Sequence, residues 1–237
     1  MKLDDLNVKI FADCADLEGI AELATNPMIK GFTTNPTLMR KAGVTDYERF
    51  AKAALDLVEG RPISFEVFAD EFEEMERQAR KIAAWGDNVY VKIPVTNTKG
   101  EASFDTIQKL SHEGVRVNVT AITTPMQGLF AAASLVEGAK SYLSVFAGRI
   151  ADTGVDPTVI MAMACDVFKR VSGSEVIWAS PRELLNVCQA SVLGCDIITM
   201  TPELLAKLDL LGKPLDEYSL ETVQMFYRDG QAAGYSL

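Results

Sequence analysis

A closed (β/α)8 barrel of the TIM type is the fold class predicted for this chain of 237 residues. Three observations predict it. Eight short runs rich in Val, Ile and aromatic residues recur along the whole length, starting at intervals of about 20 to 33 residues. Helical patterns lie between them, and such alternation implies parallel strands joined by right-handed crossovers. An open doubly wound sheet is the competing architecture, and its nucleotide-binding form loses ground because no GxGxxG follows the first run and no Walker loop is present. Eight units in a chain of this length then point to closure.

The runs in order are VKIFA at 8–12, GFTTN at 31–35, ISFEVFA at 63–69 and NVYVKIPV at 88–95. They continue as VRVNVTA at 115–121, YLSVFAG at 142–148, EVIWAS at 175–180 and CDIITM at 195–200. Gly, Asp, Asn or Pro bounds most of them. The segment 71–85 places Phe72, Met75, Ala79, Ile82 and Ala83 on one helical face and charges on the other. Segments 48–58 and 157–171 read likewise, and Pro157 and Pro181 suit first helical positions. After the last run, residues 203–237 predict two helices split at Gly212-Lys213-Pro214, the second free to pack on a neighbouring subunit. No linker or composition shift divides the chain, so residues 1–237 are read as one barrel domain with 203–237 as its C-terminal extension.

Composition excludes several functions. A formal charge of −10 argues against bulk binding to nucleic acid or an anionic membrane surface, though not against a local basic pocket. His112 is the single histidine, which rules out a two-histidine zinc motif; its place at a helix end suits a dipole contact. Cys14, Cys165, Cys188 and Cys195 form no CxxC pair and read as packed thiols of a reducing compartment. No signal peptide and no spanning segment are expected, so the default location is the cytoplasm.

Barrel chemistry gathers at the C-terminal ends of strands. There the chain offers Asp13, then Thr33-Thr34-Asn35-Pro36, Glu66, Lys92, and Asn118 with Thr120. Ser144, Phe146, Arg149, Ser180, Arg182, Thr199 and Thr201 follow. Lys92 and Glu66 interrupt apolar strands, and a buried charge must be paired or neutralised. Lys92 could snorkel from an edge strand. Alternatively, burial favours its free amine, a nucleophile toward a carbonyl. Asp13 could cap a helix or act as a base. Glu66 fits no cap, and its structural role would be an ion pair with Lys92. Thr-Asn-Pro could simply open a helix, and the two arginines could be solvated. Together, Arg149, Arg182 and Ser180 could instead hold an anion at the late strands, a common phosphate position in barrels.

These residues carry a resemblance. GFTTNPTLM and VYVKIPVT resemble the two signatures of the transaldolase family, and particularly its short members, which include the fructose-6-phosphate aldolases. FADCAD at 11–16, NVTAI at 118–122, SVFAGRIAD at 144–152 and the segment 178–205 extend the resemblance over essentially the whole chain. The resemblance implies that Lys92 forms a Schiff base with the C2 carbonyl of a ketose and that Asp13 takes the C4 hydroxyl proton. It implies that Glu66 and Thr120 hold a catalytic water. Asn35, Asn118 and Ser144, beside Thr33, would bind the dihydroxyacetone hydroxyls, while Ser180, Arg182 and Arg149 would bind a terminal phosphate. No cofactor and no metal are implied; the partners are small sugar phosphates and further copies of the chain, as decamers are common among short members.

Glu66 and Phe146 resemble the transaldolase choices, since fructose-6-phosphate aldolases have glutamine and tyrosine there. A phenyl ring cannot protonate an enamine, so transfer to an acceptor aldehyde is expected over release of free dihydroxyacetone. Val145, Ala147-Gly148 and Trp178-Ala179-Ser180-Pro181 depart from the family pattern beside the anion residues, which opens the end group to a sulfonate such as that of 6-deoxy-6-sulfofructose. Aldolase-type cleavage is the other alternative. Pyridoxal-phosphate chemistry also uses a lysine imine, but no pyridinium partner or glycine-rich phosphate loop is evident. A non-catalytic sugar-binding barrel would not need a buried lysine beside two acids.

Overall fold

The computed structural model describes residues 2–235. Its eight strands are β1 (Lys9–Asp13), β2 (Ile29–Thr33), β3 (Ile63–Glu66), β4 (Val89–Pro94), β5 (Val117–Ile122), β6 (Tyr142–Val145), β7 (Glu175–Trp178) and β8 (Ile197–Met200). They pair in parallel in sequence order, and β8 returns to β1 to close the barrel.

The helices that cover β1 to β5 are α1 (Leu17–Ala24), α2 (Pro36–Lys41), α3 (Tyr47–Leu57), α4 (Phe72–Ala83), α5 (Phe104–His112) and α6 (Pro125–Ser134). After β6 come α7 (Ala147–Ala151) and α8 (Thr158–Met163), which runs through a π-helical turn at Ala164–Phe168 into α9 (Lys169–Ser172). Next are α10 (Leu185–Val192), α11 (Pro202–Leu205) and α12 (Leu215–Ala232). The final helix begins just past Gly212-Lys213-Pro214, as the sequence predicts, and buries none of its residues. Among the described residues no helix is long and apolar enough to cross a membrane.

Local chemistry explains the boundaries. Asp16, not Asp13, caps α1, accepting from the Gly19 N–H at 2.8 Å, which leaves Asp13 free at its strand end. Asn35 caps α2 with Pro36 at the first helical position, so β2 stops at Thr33 rather than running to residue 35. β6 and β7 also stop short of the predicted ends, because Phe146 already precedes α7 and Ser180 turns the chain with φ of 60°. Pro181 corrects an expectation: it lies in the loop after β7, and α10 starts only at Leu185.

Strand alternation sorts side chains into two cores. Val91 and Ile93 on β4 join the main core between sheet and helices. Tyr90 points into the barrel with Phe11, Tyr142, Ile177, Ala179 and Ile197. Tyr90 and Tyr142 stack at 3.9 Å between centroids, and Phe11 meets Tyr142 edge-on. Gly31 has to be glycine here, since a Cβ would stand 2.5 Å from the Phe11 ring.

Candidate active site

Strand register builds the site. Glu66 pairs with Lys92, Lys92 with Asn118, Pro94 with Thr120, and Asp13 with Thr33. Asp13, Lys92, Ser144 and Thr199 each stand two residues beyond a member of the inner core on the same strand. They open into a cavity of about 380 Å³ at the C-terminal mouth. Of the residues to which the resemblance assigns a role, all but Asn118 line this cavity. Asn118 lies just behind it, accepting from the Ser144 hydroxyl at 2.7 Å and donating to Ser64 Oγ at 3.0 Å.

Lys92 is 6% exposed. Its Nζ donates to the Thr34 carbonyl at 2.8 Å and stands 3.7 Å from Glu66 Oε2. Lys92 thus does not snorkel to solvent: the amine is held inside the mouth by a backbone oxygen and one carboxylate. On the opposite side of the mouth, Asp13 accepts from the Thr33 hydroxyl at 2.8 Å and from Asn35 Nδ2 at 3.1 Å. Thr33 is itself linked to Thr199 at 2.6 Å. Burial raises the Asp13 carboxyl above its ordinary range, and the positive charge of Lys92 and the two hydrogen bonds only partly offset this. Asn35 has a double role, because its Oδ1 caps α2 through the Leu38 N–H while its Nδ2 orients Asp13. Thr120 Oγ1 is buried and has no hydrogen-bond partner among the described residues. Ser103 Oγ and Trp178 Nε1 are in the same state, but of the three only Thr120 lines the cavity, where a bound molecule could supply the partner.

The arginine side of the mouth is built by close backbone approach. Gly148, in the first turn of α7, lets Ser180 come so near that a Cβ would overlap the Ser180 carbonyl oxygen. Ser180 adopts the left-handed region, which is strained for a residue with a Cβ. Its hydroxyl accepts from Arg182 Nη1 at 3.0 Å. Arg182 also grips Asp152 with Nε at 2.9 Å and with Nη2, and this pairing holds the Asp152 carboxyl below the usual range. Arg149 is exposed on the same rim.

A second cavity, of about 550 Å³, opens at the opposite end between Phe11, Tyr90, Tyr142, Lys9 and Glu175. Its cations sit at the strand starts, and Lys9 is already paired with Glu175. The upper cavity is where the two acids, the amine and the two arginines converge.

Three contributors to the site were not singled out from the sequence as site residues. Ser64 shares the face of Glu66 at i−2, a signal that alternation offers. Thr199 is visible as a polar strand end; it lines the cavity and bonds to Thr33. Asp152 reaches the site across the chain from α7's end and carries no local signal. Among the described residues, no group of three or more His, Cys, Asp or Glu side chains is placed to hold a metal ion.

Comparison with known proteins agrees with this architecture. A mandelate oxidase mutant with an FMN adduct superposes with a TM-score of 0.55, covering 86% of this chain and 67% of that one; at 16% identity this shows the barrel fold alone. A protein of Caulobacter sp. strain K31 named "Probable transaldolase" is 35% identical over 231 residues, which is 97% of this chain and 100% of that protein. Another of that name from Thermoplasma volcanium is 37% identical over 196 residues, 81% of this chain and 84% of its own length. Residues 10–237 match the family described as Transaldolase/Fructose-6-phosphate aldolase. With a closed barrel, an amine and two acids at its mouth, and these relatives along nearly its whole length, the chain belongs to the transaldolase/fructose-6-phosphate aldolase family.

Proposed function

We propose that the protein is a transaldolase that moves a dihydroxyacetone unit from a ketose phosphate to an aldehyde through a Schiff base on Lys92. The observation that carries this reading is the setting of Lys92 Nζ, bonded to the Thr34 carbonyl and facing Glu66 across 3.7 Å in an otherwise apolar stretch of strand. The free amine adds to the C2 carbonyl of the donor, forming a carbon–nitrogen bond and a carbinolamine. A proton supplied to the C2 hydroxyl releases it as water, and the nitrogen retains the iminium charge. Glu66 and Thr120 serve that exchange, Glu66 through its carboxylate and Thr120 through its unpartnered hydroxyl. Asp13 then takes the C4 hydroxyl proton as the C3–C4 bond breaks. The bonding pair passes into the iminium to give an enamine, and an aldehyde leaves. The reverse sequence with a new aldehyde, followed by hydrolysis of the imine, completes transfer.

Phe146 lines the cavity without a hydroxyl. It therefore cannot supply the proton that would free dihydroxyacetone, which favours transfer over aldolase-type cleavage. A second reading concerns the end group. Arg182 spends its bidentate edge on Asp152, so Arg149 and Arg182 together present a reduced net positive charge to the substrate. That suits a monoanionic sulfonate as well as a phosphate. The exposed Leu220, Val223, Phe226 and Tyr227 of α12 support a homo-oligomer in which this helix meets another copy.

Borohydride reduction in the presence of fructose 6-phosphate tests the Schiff base. A reduced three-carbon or six-carbon adduct is expected on Lys92 by peptide mass. A folded protein that gives no adduct with fructose 6-phosphate or with sulfofructose would overturn the assignment, and an adduct with only one of them names the end group.

A further inference from the structure

The backbone around Glu66 contains a connection that the family resemblance does not supply. β2 pairs with β3 only as far as Thr33 opposite Ser64, and the last bridging contact is the Thr34 N–H to the Ser64 carbonyl at 3.2 Å. Beyond it β2 leaves the sheet, because Asn35 and Pro36 start α2. Peptide groups in a strand alternate in direction. The N–H and C=O of Glu66 therefore face the gap where β2 would have continued, while Val67 on the other side still bonds to the Lys92 carbonyl at 3.2 Å. Two strand-end polar groups need partners there.

Tyr47, at the start of α3, supplies both. Its hydroxyl accepts from the Glu66 N–H at 2.8 Å and donates to the Glu66 carbonyl at 3.1 Å. The ring is locked between Phe65, Phe68 and Trp85, at centroid distances of 6.1, 4.7 and 5.5 Å. One phenol therefore takes the place of a missing strand, at the residue whose carboxylate stands 3.7 Å from Lys92 Nζ.

We propose that Tyr47 is a positioning residue that fixes the Glu66 carboxylate against Lys92 by holding the Glu66 backbone at both its donor and its acceptor. The inference rests on the reading of Glu66 as an acid/base group in imine formation. It assigns Tyr47 no contact with substrate. Its chemistry is geometric: with the strand end tied, the carboxylate keeps its distance from the amine while β2 is free to turn away and present Asn35.

The experiment is a double-mutant cycle on the full-length protein. Tyr47→Phe retains the ring and loses both hydrogen bonds. It is expected to lower kcat and the single-turnover rate of borohydride-trappable imine by about 10- to 100-fold, with little change in KM. In a Glu66→Ala background the same change is expected to cost almost nothing further. Trp85→Phe, which loosens the ring's cage but keeps the hydroxyl, is expected to lower the melting temperature and leave kcat in place. Equal losses from Tyr47→Phe with and without Glu66 would overturn the proposal, as would a normal imine rate in Tyr47→Phe. If Glu66→Ala itself forms imine at the wild-type rate, the reading of Glu66 fails; if Glu66→Ala is slow and Tyr47→Phe is not, only the role of Tyr47 fails.

Discussion

Phe11, Tyr90, Tyr142 and Ile197 stand two residues before Asp13, Lys92, Ser144 and Thr199 on the same four strands. Both sets point into the barrel, one level apart. The lower set is aromatic and aliphatic and closes the interior with a stacked pair and an edge-on contact. The upper set is polar: Asp13 and Thr199 are joined through Thr33, Ser144 donates to Asn118, which in turn donates to Ser64, and Lys92 is bonded to a backbone carbonyl. The difference teaches how a barrel accommodates a buried amine. A dry floor below keeps the polar level out of bulk water, and networks above satisfy it one bond at a time. On the proposed mechanism the reacting groups belong to the upper level and the aromatic packing to the lower, so substitutions at the two levels should separate activity from stability.

The largest effect tests the upper level. Lys92→Met keeps the length of the side chain and removes the amine. Turnover of any ketose donor is expected to fall by at least about 10⁴-fold, because no other group in the cavity can form the imine. The melting temperature should change little, since the amine gives way to an apolar chain of similar length and Glu66, left without its partner, still lines the open cavity. A coincident loss of folding would break the separation of levels. The measurement is a coupled transfer assay beside thermal unfolding.

The lower level should behave in the reverse way. Tyr142 is almost fully buried and touches both of its aromatic neighbours. Tyr142→Ala is expected to destabilise by about 3–5 kcal/mol through lost burial and an unfilled cavity. Below the shifted transition, kcat should stay within a few-fold of wild type (roughly under 1 kcal/mol in barrier). Urea unfolding with steady-state kinetics at low temperature checks both. A loss of kcat that matches the loss of stability would show the aromatic level to be part of the reaction geometry.

This layering accounts for what was legible in the sequence. A two-residue period marks inward positions, so Lys92 and Glu66 stood out as charges inside apolar strands, and Asp13 and Ser144 as strand-end polar residues. All of them meet at one mouth. Periodicity could not reveal contacts arriving from off the sheet. Tyr47 begins a helix, Asp152 follows one, and the carbonyl of Thr34 is a backbone atom that any residue would carry. Ends were harder than centres for the same reason. The strands after residues 33, 145 and 178 are cut by Asn35, by the turn into α7 and by the left-handed Ser180, each acting against an unbroken β-rich composition.

The smallest effect concerns Asp13, and it decides whether the upper level carries an energetic cost of its own. Burial raises the Asp13 carboxyl above the ordinary 3.8, so over the interval from that value to the raised one the folded protein holds a proton the unfolded chain has lost. Stability from this group is then present at low pH and declines as pH rises through that interval. The substitution Asp13→Asn removes that cost, because an amide does not ionise. Its side chain could still accept from Asn35 through its oxygen and donate to Thr33, whose hydroxyl can turn toward Thr199. The variant is therefore expected to melt above wild type at pH 7, with the gap closing as pH falls below about 4, while transfer activity is lost. Melting curves across pH read the sign directly. A variant that melts lower at neutral pH would mean that the attraction of Asp13 to Lys92 outweighs its desolvation, and the polar level would then be stabilising in its own right rather than carried by the aromatic one beneath it.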